Sequence, residues 1–289
     1  MADMTGTTMA TWLPEQWSEL ASITYRSNTV LEGLQDHRWE PEIGVGRGDT
    51  VNIPGFTQNT GASKRSTFGT GASLTFTATT ESQTQLLVNQ MAYMAFRLPA
   101  EMNVQTMPNY VSLLTDGVGE AVALKVDAEI ASDNTNGYDA FTSIGTDNVD
   151  LDEDTLTSGE VNLDDNNAPN MDRFLVVSPA SRASLMKIEA IRNQLYSNTI
   201  GNLSGAAGPG FIGNVNTYAV YMSNNLESGT SGKKNAMHQR EAIAFAGQKG
   251  LTMVADINIE DGIFNQFAGY RVYGFKLVKT AFGREVDGK

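Results

Sequence analysis

The acidic run Asp150-Leu-Asp152-Glu-Asp154 is the most direct candidate for metal chemistry in this 289-residue chain. Its alternating carboxylates match the first half of a calcium-binding loop, where side chains at alternate positions face one ion. Thr155 stands where such a loop needs glycine, and Val161 where it needs a bidentate glutamate. The run therefore predicts a solvated acidic face, and a calcium-dependent binding protein is the less favoured alternative.

A second candidate is Gly208-Pro-Gly210-Phe-Ile-Gly213, which has the glycine spacing of a dinucleotide-binding turn. That site needs a strand before the glycines and a helix after them, so that phosphate lies at the helix N-terminus. Here a glycine-rich loop precedes the motif, and the strand-like Thr217–Met222 follows it. This order predicts a flexible loop without a nucleotide.

Acid-base and nucleophilic catalysis have few candidate residues. The chain has no cysteine, and only His37 and His238 could act as an imidazole base. No G-x-S-x-G turn is present to expose a serine nucleophile. We therefore predict no enzymatic activity, no catalytic residue, no cofactor and no bound metal, with each histidine in a packing or surface role.

Charge limits the possible partners. The formal net charge is -13, whereas a protein that grips nucleic acid needs a basic face against the phosphates. Any contact with nucleic acid should be weak. The N-terminal residues lack a basic and apolar signal pattern, and no apolar run is long enough to cross a bilayer. These features predict a soluble protein with no membrane partner.

The elements that carry these residues differ in charge. Residues 133–172 contain eleven acids and no Lys or Arg. In contrast, the interior of the segment from Asp49 to Glu81 contains no acid. The two regions are thus complementary in charge, and contacts between them could set orientation if repeated over many copies.

The acid-free segment reads as a long polar finger. Val51–Pro54 and Leu74–Thr79 alternate apolar and polar residues, as a two-stranded ribbon does. Between them lie Lys64, Arg65 and Phe68, the candidate contact residues. Because a connection of this length is unusual inside a compact domain, it is either a mobile surface hairpin or a segment that lies on another surface.

The other elements suggest an α+β chain. Pro14 to about His37 reads as a helix-rich arm whose apolar anchors, including Trp12 and Trp17, need a partner. Leu86–Leu98 reads as a strand, and Pro108–Ile130 is the strongest helix because of its apolar stripe. Further predicted elements are a helix over Thr155–Asn166, a buried strand over Asp172–Pro179, a helix over Ala180–Ser197, and strands at Thr217–Met222 and Tyr270–Val278.

The order of these elements resembles the major capsid proteins of tailed bacteriophages, which share the Hong Kong phage-type capsid fold. The resemblance covers nearly the whole chain. Gly48–Pro54 is similar to the start of the family's extended loop, and Val122–Ile130 to the end of its spine helix. Arg173–Pro179 followed by a helix, and the tail Gly269-Tyr-Arg-Val-Tyr-Gly-Phe-Lys, are the other matching segments.

The resemblance implies an N-arm at 1–45, an extended loop at 46–85, a peripheral domain at 86–131 and 236–289, and an inserted α/β axial domain at 132–235. The peripheral domain would hold the spine helix and an antiparallel sheet. The implied protein assembles in the host cytoplasm, as pentamers and hexamers, into an icosahedral head shell around double-stranded DNA. Its implied partners are a separate scaffolding protein, a portal and a possible decoration protein.

Two alternatives remain at this point. An encapsulin-like cellular compartment would share the fold and differ in its cargo. An acidic calcium-dependent binding protein, or a hydrolase, would form a monomer or a small oligomer. The resemblance also implies that Lys64 lies near the region where some relatives form an isopeptide cross-link, although no matching Asn is identifiable here.

Overall fold

The fold is described by a computed structural model. The description covers residues 29–43, 48–56, 81–100, 110–189, 191, 210–259 and 263–289. Within these ranges the chain forms three α-helices and eleven β-strands. The strands belong to a two-stranded, a three-stranded and a six-stranded sheet.

The longest helix, α1 (Tyr110–Ser132), lies against the three-stranded sheet. Residues four apart along one side of this helix are buried, namely Val118, Val122, Val126 and Ile130. This spacing places them on one face, one turn above another. The predicted helix over Pro108–Ile130 is confirmed from residue 110 onward; Leu124, which the sequence also places in the apolar stripe, is only partly buried.

The three-stranded sheet has the order β3-β10-β9, with all neighbours antiparallel. These strands span Gln90–Pro99 (β3), Ile243–Asn258 (β9) and Phe264–Leu277 (β10). Two further strands, β1 (Thr50–Phe56) and β2 (Glu81–Leu87), pair as an antiparallel hairpin. The single strand predicted over Leu86–Leu98 is wrong: the chain leaves the hairpin after Leu87 and enters the other sheet at Gln90.

The six-stranded sheet has the order β4-β11-β8-β5-β7-β6. Its strands are Thr142–Gly145 (β4), Arg173–Val177 (β5), Phe211–Val215 (β6), Tyr218–Met222 (β7), Lys233–Gln239 (β8) and Gly283–Gly288 (β11). All five residues of β5 are buried. Four of them, Phe174–Val177, form the continuous apolar run expected of a strand covered on both faces.

Two short helices accompany this sheet. Helix α2 (Glu153–Asp165) starts at Asp152, whose carboxylate accepts a hydrogen bond from the Thr155 amide at 2.8 Å. Helix α3 (Pro179–Leu185) starts at Ser178, which caps it through the Ser181 amide. The predicted helix over Ala180–Ser197 is interrupted, because α3 ends at Leu185, a turn follows it, and helical residues resume at Glu189; residues 192–197 lie outside the described ranges.

The described part of the N-terminal arm is not helix-rich as predicted. Residues 29–43 contain only two short 3-10 turns, Glu32–Leu34 and Glu40–Glu42. Val30, Leu31 and Leu34 are buried in the core of their own chain, together with residues of α1 and β10. These three side chains therefore do not need a partner molecule, contrary to the expectation for the arm.

One apolar core joins the two larger sheets. It includes Val122 on α1, Phe174 on β5, Phe245 on β9 and Tyr273 on β10. The expected boundary between residues 235 and 236 falls within β8. The C-terminal strand β11 pairs with β8 and β4 in the six-stranded sheet. The division into domains stays a prediction.

Candidate assembly surfaces

The base of the β1–β2 hairpin is fixed to the body. Val51 and Ile53 on β1 pack against Ala244 and Ala246 of β9. Leu86 on β2 and Val88, just after β2, belong to the same apolar cluster. Burying each such aliphatic side chain contributes about 1.5–3 kcal/mol. The hairpin also passes so close to β10 that a Cβ on Gly274 would lie 2.0 Å from the Leu87 carbonyl oxygen. The direction in which the hairpin leaves the body is thus set by close packing.

The same sheet face is uncovered farther from the hairpin. The pairing aligns Tyr93, Tyr270 and Thr252 in one row across the three strands, and Ala95, Ala268 and Val254 in the next. Tyr93 is 68% exposed and Val254 is 49% exposed. The opposite face contacts α1, since a Cβ on Gly269 would lie 2.5 Å from Val118 Cγ1. An apolar surface of this kind is typical of interaction surfaces.

The N-terminal arm leaves the body at a buried carboxylate. Asp127 on α1 is fully buried and accepts hydrogen bonds from the amides of Val30 at 2.7 Å, Leu31 at 3.1 Å and Glu32 at 3.2 Å. Its fourth partner is the side-chain amide of Asn225, at 3.2 Å. Burial raises the pKa of Asp127, while these hydrogen bonds act in the opposite direction.

The neighbouring residues of the arm are also bound to the body. Glu32 forms an ion pair with Arg271 of β10. The amide of Asp36 donates to the Ile243 carbonyl oxygen, and the Phe245 amide donates to the Asp36 carbonyl oxygen. Asp36 of the arm thus pairs by backbone hydrogen bonds with the edge of β9, at the buried end of that strand. The point from which residues 1–28 depart is fixed by backbone contacts.

The acidic region 133–172 serves local structure at several positions. Asp150 binds the ammonium groups of Lys187 and Lys289, and these contacts lower its pKa. Asp152 caps α2, and Asp164 pairs with the buried guanidinium of Arg173 at 2.6 Å. Asp150, Asp152 and Asp164 thus each have a partner within the protein. Among the described residues, no group of three His, Cys, Asp or Glu side chains is arranged to hold a metal.

The two histidines occupy packing positions. His238 is fully buried among Tyr138, Phe141 and Phe174. Burial lowers its pKa to about 3, with a smaller contribution from Arg240, so it is neutral at pH 7. His37 packs on Phe245 and contacts Glu40. Neither ring lies beside a serine nucleophile in the contacts of the described residues.

The structure does not describe the contact residues predicted from the sequence. Lys64, Arg65 and Phe68 lie between β1 and β2, and Trp12 and Trp17 lie in the arm, all outside the described ranges. The strand predicted at Leu74–Thr79 also lies outside them. What the structure does show is the two attachment points, at the hairpin base and at Asp127, from which these segments continue.

Comparisons with known proteins match this architecture. The sequence profile described as phage capsid protein matches residues 95–285, which is more than half of the chain. The chain belongs to the phage capsid protein family. No curated protein matches it by sequence.

Solved structures support the capsid fold over nearly the full length. A structure from Mycobacterium phage Che8 is 22% identical, with a TM-score of 0.74 over 96% of this chain and 98% of its own. The capsid structure of the cyanophage P-SCSP1u is 16% identical, with a TM-score of 0.69 over 100% and 97%. A native GTA particle capsid is 10% identical, with a TM-score of 0.70 over 99% and 99%. The Hong Kong phage-type fold inferred from the order of elements is thus confirmed.

This capsid protein is a major shell subunit, and the alternatives of a cellular compartment or a calcium-dependent binding protein receive no support. In the described part of the chain, no helix is both long and apolar enough to span a membrane. Sequence reasoning missed Asp127 and the exposed sheet face. An acid within an apolar helical stripe was the available signal for Asp127, since a buried carboxylate requires partners.

Proposed function

We propose that this capsid protein assembles through two segments, the N-terminal arm and the finger from Asp49 to Glu81, into a closed icosahedral shell of pentamers and hexamers. The observation that carries the proposal is the close packing of the finger's base against the body. Val51, Ile53 and Leu86 hold the hairpin on β9, while the sequence beyond it is polar and free of acids. Such a segment gains little by packing on its own core.

The finger acts as a strap on a neighbouring subunit. Its Lys64 and Arg65 are opposite in sign to the acidic region 133–172, which carries eleven acids. Single exposed pairs contribute at most about 1 kcal/mol each, but repetition over many copies makes their contribution to orientation large. Phe68, Trp12 and Trp17 supply the apolar contacts of the two segments. The cross-linking alternative at Lys64 has no identified partner and is not part of the proposal.

Other partners follow from the same role. The shell encloses double-stranded DNA and contacts it weakly, because a net charge of -13 per chain repels phosphate. A separate scaffolding protein guides assembly in the host cytoplasm, a portal admits the DNA, and a decoration protein is an optional outer partner. The subunit itself performs no catalysis and needs no cofactor.

Negative-stain microscopy of the purified protein, alone and after co-expression with its scaffolding protein, tests this function. Closed or partial polyhedral shells are expected with the scaffold. Uniform shells from the chain alone would remove the need for a scaffold while keeping the shell function. Discrete small particles under both conditions would contradict the shell function itself.

A further inference from the structure

Two carboxylates and one ammonium group meet beside the C-terminal strand. Lys234 on β8 donates to the Asp139 carboxylate, and its Nζ lies 3.7 Å from Glu285 Oε1 on β11. Asp139 belongs to the 3-10 turn Tyr138–Ala140, which follows α1. The cluster therefore connects the turn after the spine helix to two strands of the six-stranded sheet.

The surroundings of this cluster add further negative charge. Asp287 lies directly opposite Lys234 in the pairing of β11 with β8. The negative charge of Glu227, in the loop before β8, favours the charged form of Lys234. The neighbouring strand β4 has the sequence Thr-Ser-Ile-Gly and contributes no charged side chain. Farther along the same face of β8, His238 is neutral. Lys234 is thus the cation that contacts both Asp139 and Glu285.

Glu285 is the most enclosed of these acids, with 5% of its surface exposed. A buried carboxylate is costly unless it is compensated. Here one ammonium group contacts two carboxylates, so full ionisation leaves an uncompensated negative charge. Two carboxyl groups in one site commonly resolve this conflict when one retains its proton.

The protonation of the individual groups agrees with this geometry. Burial raises the pKa of Glu285 to about 8; Lys234 opposes the shift, and the hydrogen bond with Asp139 adds to it. For Lys234, burial alone lowers the pKa, but Asp139 and the other carboxylates outweigh burial and raise it. The lysine stays charged while the acid beside it keeps a proton.

We propose that Glu285, beside Asp139 and Lys234, holds a proton at neutral pH, and that release of this proton at mildly alkaline pH weakens the attachment of β11 to the turn at Tyr138–Ala140. Because β11 lies between β4 and β8, the six-stranded sheet is less stable with an ionised Glu285 than with a protonated one. This device belongs to the folded subunit and does not depend on the proposed strap.

Unfolding of the unassembled subunit between pH 6 and pH 9.5 provides the first test. The folded state holds an extra proton between the ordinary carboxyl range and about pH 8, so stability falls as pH rises through this window. The unfolding constant should rise by up to about tenfold per pH unit and level off above pH 8. Glu285→Gln should remove this part of the slope, whereas Asp165→Asn, at an exposed acid of the same region, should keep it.

A spectroscopic measurement detects the proton directly. Infrared difference spectra of wild-type protein minus Asp139→Asn at pH 7 should show a protonated-carboxyl C=O band, because the amide can donate to Glu285 and favours its ionised form. Other buried carboxyls, such as Asp127, cancel in the difference. The band should disappear with a midpoint near pH 8. Its absence at pH 7, or equal pH slopes for wild type and Glu285→Gln, would overturn the proposal.

Discussion

The backbone nitrogen of Val30 donates a hydrogen bond to the carboxylate of Asp127 at 2.7 Å, although the two residues are 97 positions apart in the chain. Two more amides, those of Leu31 and Glu32, share the same carboxylate. Three successive N–H groups therefore converge on one side chain of the spine helix. This contact fixes the first described turn of the chain against the helix that crosses the sheet.

Replacing this carboxylate should destabilise the subunit. In Asp127→Asn an NH2 group replaces one acceptor oxygen and faces backbone donors. The loss of charge-assisted hydrogen bonds and the unpaired buried N–H groups should cost roughly 2–4 kcal/mol. Urea unfolding measures the change. Asp116→Asn, at an exposed position of the same helix, is the matched control and should stay within about 0.5 kcal/mol of wild type.

The seating of the hairpin can be tested at Gly274. In Gly274→Ala the new methyl group meets the Leu87 backbone at 2.0 Å, and no flexible side chain can move aside. We expect the free energy of unfolding to fall by about 1–3 kcal/mol and the amides of β1 and β2 to exchange hydrogen faster. Gly250→Ala, where nothing lies within 4 Å, should change neither quantity appreciably. Unchanged exchange in the first variant would show that the hairpin base tolerates displacement.

The charge of the finger should matter for assembly and not for folding. Reversing both charges, Lys64→Glu with Arg65→Glu, should lower shell yield severalfold because the finger would then repel the acidic surface of a neighbour. The conservative pair Lys64→Arg with Arg65→Lys should assemble normally. Sedimentation of assembled against free subunits gives the yield, and circular dichroism confirms folding. Equal yields for the two double variants would eliminate the electrostatic contact.

The length of the finger provides a separate test. Shortening Thr57–Ala72 to a tight turn removes the proposed strap but keeps β1 and β2 described by the structure. The free subunit should keep its unfolding midpoint, because the residues that pack on β9 remain, whereas closed shells should no longer form. Electron microscopy and denaturant titration separate the two effects. Normal shells from this variant would mean that the strap is dispensable.

Acid stability should depend on His238. Its pKa is about 3 in the folded chain and about 6.5 when unfolded, so the unfolded state binds an additional proton between these values. Stability should fall as pH drops below about 6.5, by up to about 1.4 kcal/mol per pH unit. His238→Phe removes this contribution and keeps an aromatic ring beside Phe174. If wild type and His238→Phe lost the same stability per pH unit in acid, His238 would not be the source of the pH dependence.

The sequence predicted those elements whose local pattern agrees with their tertiary environment. The apolar stripe of α1 and the apolar run of β5 each predict the element that the structure shows. The break between β2 and β3 was missed although the polar pair Asn89-Gln90 stands at it. The residues on both sides have strand-like sequences, and only the strand pairing assigns them to different sheets. The pairing of β4 with β11 joins residues far apart in sequence, and no local pattern reports such a contact.

The candidate site was less accessible to sequence reasoning than the fold. Composition identified the finger as a segment unlike the rest of the chain, and the order of elements identified the family. The partners of Asp127 and Glu285 come from distant elements that meet only after folding. Their burial, which gives these carboxylates their roles, is a property of the folded chain and not of the residues beside them.

The irregular pairing of β10 with β9 between Tyr270 and Tyr273 has a mechanical consequence. On one side of this bulge, Ala244 and Phe245 are buried on opposite faces of the sheet, in two different cores. On the other side, Tyr93 and Val254 leave one face open to solvent. If the subunit bends in a shell, the bend should therefore lie near residue 271. The hairpin should then move together with the part of the sheet that is covered on both faces, and the part with one exposed face should move relative to them.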